Sequence, residues 1–326
     1  MLASFTPTTS HAYILASLMI AHIYFVRRFP APGESCQADG FYCETGGKGL
    51  NVLIGLHKLG IPVDGILPCG RTPSSRQQHL EVLSQWALDH IAAPITAEYN
   101  GHGVALIDEQ GQNQIIVHPG ANALLGENHV QPHATSIQRA NLVYAPFELP
   151  DSAILAAFKI AHSAGRMTVL NPSPYRDISP ELLALTDVFI LNQTEAQAWL
   201  NGMPEHFASC EAALTWLRAI RFNQRFAGKS IILTLGCKGA IALLENGNTY
   251  THAGFVTPTV DTIGAGDAFA SALLASLLRG DCVNTALRHG CASASLTIRQ
   301  RGLLPHLPSE KVLHDFLNGE GSTINS

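Results

Sequence analysis

Apolar positions along the chain follow two alternating rhythms. Short runs of β-branched and aromatic residues, such as "VFILN" (Val188–Asn192) and "SIILTLG" (Ser230–Gly236), read as buried strands. Between them lie stretches whose apolar residues recur at helical spacing, such as "TEAQAWL" (Thr194–Leu200) and "EAALTWLRAI" (Glu211–Ile220). "SAILAAFKIAHSAG" (Ser152–Gly165) is bounded as a helix, with Ser at the N-cap and Gly as the stop. "MTVLNPSP" (Met167–Pro174) follows as a strand running into a proline loop. This alternation predicts an α/β chain: a mostly parallel central sheet with helices on both faces. In such sheets ligands gather at the carboxyl ends of the strands.

Two regions break the rhythm. Residues from about Tyr24 to Thr45, and "YNGHGVALIDEQGQNQIIVH" (Tyr99–His118), read as short strands with turn glycines and no intervening helix. "DEQGQ" (Asp108–Gln112) reads as a hairpin turn. The two regions predict a small antiparallel sheet standing off the main body as a lid, with segments at about 19–46 and 98–118. A third stretch, "HAYILASLMIAHIYFV" (His11–Val26), has the apolar character of a membrane anchor or signal peptide. No Lys or Arg precedes it, and His22 interrupts a run already shorter than the ~20 residues a spanning helix needs. Its composition predicts a buried strand continuing into a second extended piece.

Composition narrows the class further. At 326 residues, with 46% hydrophobic and 14% charged, the chain can bury one large α/β core and is not globally disordered. A single domain is expected over about 11–320, between disordered tails at 1–10 and 321–326. The net charge of −5 offers no basic stripe for nucleic acid. Seven scattered cysteines, odd in number and without a CxxC pair, predict free thiols in a reducing cytoplasm, with no disulfide framework or zinc site.

Two glycine-rich stretches carry candidate chemistry. "DTIGAGDAFASALLASLL" (Asp261–Leu278) leads through Gly264 and Gly266 into an apolar helix, with Asp267 at its entrance. The first amides of such a helix, with the positive end of its dipole, make an anion site. Locally, Asp267 reads equally well as an N-cap or as a catalytic carboxylate. The stretch is neither a P-loop nor a complete dinucleotide fingerprint, since Phe269 holds the third glycine position. "TGGKGLNVLIGLHKLG" (Thr45–Gly60) predicts a helix from about Leu50 to Leu59, ended by Gly60. A GG pair is most often a plain turn, yet Lys48 and Asn51 add a cation and a two-way hydrogen-bonder at the same entrance.

The pair "GGKGLN" and "DTIGAGDAF", over 200 residues apart, resembles the two signatures of the ribokinase family, the pfkB-type carbohydrate kinases. "FPAPGES" (Phe29–Ser35), "GVALIDEQGQNQIIVHPGAN" (Gly103–Asn122), "LNPSP" (Leu170–Pro174), "LNQTEAQ" (Leu191–Gln197) and "TLGCKG" (Thr234–Gly239) fall in the family's order, closest to its ribokinase members. The resemblance covers nearly the whole chain. It implies a three-layer α/β/α ribokinase-like fold with a β-sheet lid and an ATP-dependent transfer of phosphate to a sugar hydroxyl. It assigns Asp267 as general base, with the amides of Gly264, Ala265 and Gly266 stabilising the transferring phosphoryl group. Gly47, Lys48, Gly49, Asn51 and Glu148 match sugar-contacting positions. Asn192, Thr234, Leu235, Gly236, Cys237, Lys238, Gly239 and Cys291 match the nucleotide site, and Glu195 would help to hold Mg²⁺ through water. Asp261, Ile263, Thr297, Gln300, Gly302 and His306 match a site for a potassium-type cation, His306 being a departure. The resemblance further implies a homodimer formed through the lids.

The sugar-reading side departs from the family. Where it places an Asn and an Asp at the end of the first strand, "ASLMIAH" (Ala16–His22) carries Met19 and Ala21. "CGRTPSS" (Cys69–Ser75) also lacks the acids that ribokinases carry there. The expected activity is therefore that of a sugar kinase with changed substrate choice. A nucleoside or other alcohol is the alternative acceptor, and a non-catalytic ligand-binding or regulatory protein is the alternative of another class.

Overall fold

A computed structural model describes residues 10–319, except 221, 223–225 and 227. The tails expected at 1–10 and 321–326 lie, apart from Ser10, outside the described residues. The chain opens with β1 (Ala12–Leu15) and then leaves the main body as β2 (Met19–Phe25) and β3 (Gly40–Gly46). It returns through the Lys48–Lys58 helix to β4 (Val63–Ile66). A short pair, β5 (Cys69–Gly70) and β6 (Ile95–Ala97), precedes a second excursion as β7 (Gly101–Ile107) and β8 (Asn113–His118). Next come β9 (Leu142–Pro146), β10 (Met167–Asn171), β11 (Val188–Asn192) and β12 (Ser230–Thr234), separated by helices. β13 (Ala240–Leu243) and β14 (Thr249–His252) finish the sheet, and the helices Ala265–Leu278 and Val283–Thr297 follow.

The main sheet runs β14-β13-β12-β11-β10-β9-β1-β4. Every pairing from β4 across to β12 is parallel, while β13 and β14 turn antiparallel at the edge. β1, β9 and β10 are buried at every position, which explains their largely apolar character; Thr168 and Asn171 of β10 donate to the Leu185 and Ile190 carbonyls at 2.6 and 2.7 Å. Alternate side chains feed two cores. Ile14, Tyr144, Val169 and Ile232 share one with the Lys48–Lys58 and Ala265–Leu278 helices. Tyr13, Val143, Leu170 and Ile231 share the other with the Asp151–Ser163 and Cys210–Ala219 helices. Leu273, Leu274, Leu277 and Leu278 are at most 2% exposed. At ~1.5–3 kcal/mol for each fully buried large aliphatic side chain, they anchor the helix that begins beside Asp267.

β3-β2-β7-β8 form the separate lid sheet. It is mixed, not antiparallel as expected: β2 and β7 pair in parallel, with an antiparallel hairpin partner on either side. Both strands leave the body in the same direction, which fixes the sense of the seam between them. The Asp108–Gln112 turn is as expected, with the Asp108 amide donating to the Gln112 carbonyl at 3.0 Å. The apolar stretch His11–Val26 is β1 and β2, and no helix of the described residues is long and apolar enough to cross a membrane.

Two helix starts differ from expectation. The helix placed at Ser152 begins at Asp151, with Pro150 at its N-cap; a first-turn acid suits the dipole, and Asp151 pairs with Arg176 at 2.6 Å. The helix placed at Leu50 begins at Lys48, because Gly47 supplies the cap.

Candidate active site

The carboxyl ends of β1, β9, β11 and β12 meet the entrances of the Lys48–Lys58 and Ala265–Leu278 helices. Gly264 is the N-cap of the second helix, in the left-handed region at φ 73°, and a Cβ there would stand 2.1 Å from Leu303 Cδ2. Only glycine serves that turn. Asp267 therefore sits in the first helical turn and is not the cap. Its carboxylate is 5% exposed and accepts a hydrogen bond from Asn51 Nδ2 at 2.7 Å. Burial raises its pKa, against the opposing pull of Lys48 and the Asn51 bond. A carboxylate held up in this way takes a proton more readily at neutral pH than a surface aspartate.

The first helix seats directly on the end of β1. Gly47 has φ 128°, and a Cβ on it would lie 2.0 Å from the Ser17 carbonyl oxygen. This close approach aims the Lys48 amide at Glu148, whose Oε2 accepts it at 2.7 Å and also accepts the Ser17 hydroxyl. Burial raises the Glu148 pKa, partly offset by the Ser17 bond and by the charge and amide of Lys48. For Lys48 itself burial acts against the charge, yet the attraction of Asp267, Glu148 and Glu195 outweighs it and raises the ammonium pKa. The Lys48 ammonium thus lies in the field of three carboxylates.

Two cavities meet here. A cleft of about 490 Å³ is lined by Lys48, Asn192, Gln193, Thr194, Leu235, Gly264 and Asp267, among others. It adjoins an apolar slot of about 380 Å³ lined by Cys237, Gly239, Phe255, Val256, Ala265, Phe269, Cys291 and Ile298, among others. Thr234, Gly236, Thr262 and Gly266 line both. Burial pushes the Cys291 thiol up to about 12, so it is a neutral packing group in the slot wall. A polar cleft at a helix N-terminus, opening into an apolar slot, suits a ligand with an anionic chain and a flat apolar head.

The expected site residues divide. Asp267, Asn51, Lys48, Glu148 and the Gly264–Gly266 turn come together. Lys238 does not join them: its ammonium donates to the Phe207 carbonyl, away from the cavities. Asn192 and Glu195 form a capping box, in which the Asn192 amide donates to Glu195 Oε2 at 2.8 Å and its Nδ2 to Oε1 at 2.9 Å. Asn51 spends its NH₂ on Asp267, and its Oδ1 is buried without a hydrogen-bond partner among the described residues. The two segments holding the expected cation positions converge, the Val260 and Asp261 amides donating to the Ile298 carbonyl at 2.8 and 3.2 Å. Asp261 Oδ1 accepts the Ile263 amide at 3.0 Å, while the Thr297 hydroxyl turns back to the Ser293 carbonyl. No cluster of three His, Cys, Asp or Glu side chains suited to a metal occurs among the described residues. All seven cysteines are free.

Several residues of the site went unread in the sequence. Ser295 and Ile298 stand four and seven positions beyond Cys291, hence on its helix face, a periodicity that would have found them. Ser17 and Thr262 gave only their places, after a strand and before a glycine turn. Met19 lies at the lid base, its sulfur 3.3 Å from Asn122 Nδ2, and Ala21 stands opposite Glu44 and Gly103 in the lid register.

The sequence profile of the pfkB family carbohydrate kinases matches residues 10–310. A ribokinase of Haemophilus influenzae is 28% identical over 306 residues, 93% of this chain and 97% of its own length. Arabidopsis thaliana ribokinase, solved with ribose and ATP, superposes with a TM-score of 0.83 at 24% identity, over 95% of this chain and 99% of that one. Burkholderia thailandensis nucleoside kinase, solved with inosine, gives 0.75 at 20% identity, over 95% and 97%. With that profile matched from residue 10 to residue 310, this chain belongs to the pfkB family of carbohydrate kinases.

Proposed function

We propose that the chain transfers the γ-phosphate of ATP to a hydroxyl of a pentose-like sugar, with Asp267 as the base. The observation that carries this reading is the placement of a buried carboxylate, held by Asn51, at the point where a helix N-terminus opens onto an apolar slot. The adenine would occupy the slot against Cys291 and Phe269, with the Thr234–Gly239 turn beside it. The phosphates would lie over the Gly264 and Gly266 amides, which have no partners inside the helix, and beside the Ala265 amide, which donates to the Thr262 carbonyl at 3.3 Å and would turn from it to the ligand. A Cβ at Gly266 would meet nothing within 4 Å, so that face is open to a ligand. As the acceptor oxygen bonds to the γ-phosphorus and the β–γ bridge breaks, Asp267 takes the hydroxyl proton and the amides and Lys48 stabilise the gathering charge. Gly47, Gly49 and Glu148 complete the acceptor side.

Mg²⁺ would neutralise phosphate charge, with Glu195 and Asn192 acting on it through water, since Asn192 already holds both Glu195 oxygens. Asp261, Ile263, Thr297, Gln300, Gly302 and His306 would offer hard oxygen donors to a monovalent cation such as K⁺, mainly as carbonyls. We further propose a cytoplasmic homodimer formed through the lids. β8 is exposed at every position, with Ile115, Ile116 and Val117 at 63%, 73% and 58%, and an apolar edge of this kind favours pairing.

The test is a panel of pentoses, hexoses, sugar phosphates and nucleosides with ATP–Mg²⁺, followed by ADP release. Acceptor-dependent release with at least one sugar is expected, and none with any acceptor would sink the reading. A nucleoside acceptor is the second reading, favoured by Met19, whose apolar side chain stands at the lid base in place of a hydroxyl-binding group.

A further inference from the structure

The loop after the Val283–Thr297 helix touches both the lid and the glycine turn. From the lid, Glu44 of β3 reaches down, and its Oε1 accepts the Leu303 amide at 2.6 Å. On the same lid face, Phe25 and Tyr42 hold the Arg301 guanidinium 5.2 and 5.9 Å from their ring centroids. On its other side, the Leu303 side chain is 3% exposed and packs on Gly264, close enough that one added carbon there would collide with it. A single residue therefore bridges a lid carboxylate and the cap of the Ala265–Leu278 helix. Ala21, at the acceptor side of the lid, is the register partner of Glu44.

We propose that Glu44 and Leu303 are positioning residues that couple the lid to the phosphoryl-binding turn. With the lid down, Glu44 holds the Leu303 backbone, and the Leu303 side chain presses Gly264 into the conformation that presents the Gly264–Gly266 amides. With the lid raised, that hold is released and the turn loosens. The glycine turn is then fully formed only beneath a closed lid, which would limit loss of phosphate to water. The catalytic consequence rests on the kinase reading above; the mechanical coupling does not.

Hydrogen exchange on the full-length protein without ligand reads the coupling directly. Glu44→Ala should speed exchange in peptides covering residues 262–268 about tenfold, because a charge-assisted bond that restrains their neighbour is gone. Glu44→Gln, whose amide oxygen still accepts the Leu303 amide, should restore most of the protection. Unchanged exchange at 262–268 in Glu44→Ala, or equal loss in both variants, overturns the proposal. Kinetics give a second reading, with D-ribose and 2-deoxy-D-ribose as probes. Glu44→Ala should lower kcat about tenfold, leave the KM for ATP in place and leave ATP hydrolysis without acceptor no higher than in wild type, because a loosened turn serves water no better than a sugar hydroxyl. A higher acceptor KM at unchanged kcat would mean that Glu44 only shapes the acceptor pocket, which also overturns the coupling. If the wild-type chain phosphorylates no acceptor, the kinase reading fails and the exchange experiment still decides the relay.

Discussion

Asp267→Asn removes one negative charge and keeps the shape of the side chain. The amide oxygen can still accept the Asn51 Nδ2 bond that holds Asp267 at 2.7 Å. At 5% exposure, little solvent reaches position 267 to take over as base. A positioned acid–base group contributes about 10²–10⁴-fold, so kcat should fall by that span, equivalent to about 2.7–5.4 kcal/mol of barrier. Stability should move the other way. Burial raises the pKa of Asp267 in the folded state, so its linkage contribution is fully present below the ordinary aspartate range and is lost as pH rises through the raised value. At neutral pH the neutral Asn avoids that loss, and Tm should stay level or rise slightly. The same shift places the acid limb of the wild-type kcat/KM profile above the ordinary aspartate value of about 3.9. A coupled assay of ADP release, with ATP and acceptor varied in turn, gives kcat and both KM values, and calorimetry gives Tm. Turnover within tenfold of wild type, with the fold intact, would refute Asp267 as the base.

Three further outcomes can be stated. Cys291→Phe should fill part of the 380 Å³ slot and raise the KM for ATP about tenfold or more, leaving the acceptor KM near its wild-type value; an unchanged KM for ATP would place the adenine elsewhere. Wild type should phosphorylate ribose with a high KM, because each hydroxyl left unpaired at Met19 and Ala21 costs roughly 1–3 kcal/mol. Met19→Asn with Ala21→Asp should then improve kcat/KM for ribose by on the order of 10²–10⁴-fold if the two sites add, and a micromolar wild-type KM for ribose would end the claim of altered specificity. Ile116→Asp, at a position 73% exposed on the lid, should shift sedimentation from dimer to monomer, whereas a wild-type protein that is monomeric at micromolar concentration would contradict pairing through the lids.

What the sequence disclosed depended on how local its cause was. The buried strands were legible because a parallel strand covered on both faces must be largely apolar, as "VFILN" and "MTVLN" are. The hairpin at Asp108–Gln112 was legible because its turn chemistry lies within five residues. The parallel seam between β2 and β7 was not, since pairing sense depends on where distant segments leave the body. Helix starts were misplaced for the same reason: Gly47 becomes a cap only because the Ser17 carbonyl lies 2.0 Å from where its Cβ would be. At the site, the glycines and Asp267 were marked by motif, but the use of Asn51 was not. Its spacing suggested a ligand-reading amide, while the fold turns its NH₂ to Asp267. Nothing in "TLGCKG" distinguishes Cys237, which lines the slot, from Lys238, whose ammonium donates to the Phe207 carbonyl instead.

The two halves of the site differ in what holds them, and this bears on which half can change. Phosphoryl stabilisation is assigned to backbone amides at 264–266, placed by a helix whose residues are buried from Asp267 to Leu278. Side chains there matter mainly by being absent, at Gly264 and Gly266. On the proposed reading, the acceptor half is built from side chains on separate elements: Ser17 after β1, Met19 and Ala21 on the lid, Lys48 and Asn51 on one helix, Glu148 after β9. On that reading, a substitution at Met19 or Ala21 would alter what a ligand hydroxyl meets, neither residue being part of the helix that carries Asp267. Asn51 and Lys48 are the exceptions, since each also acts on Asp267, one by a hydrogen bond and one by charge. The lid positions are therefore where acceptor choice can shift at little cost to transfer. Swapping residues 19 and 21 should change kcat/KM among sugars far more than it changes the KM for ATP. A matching change in both would mean that the two halves are not separable in this way.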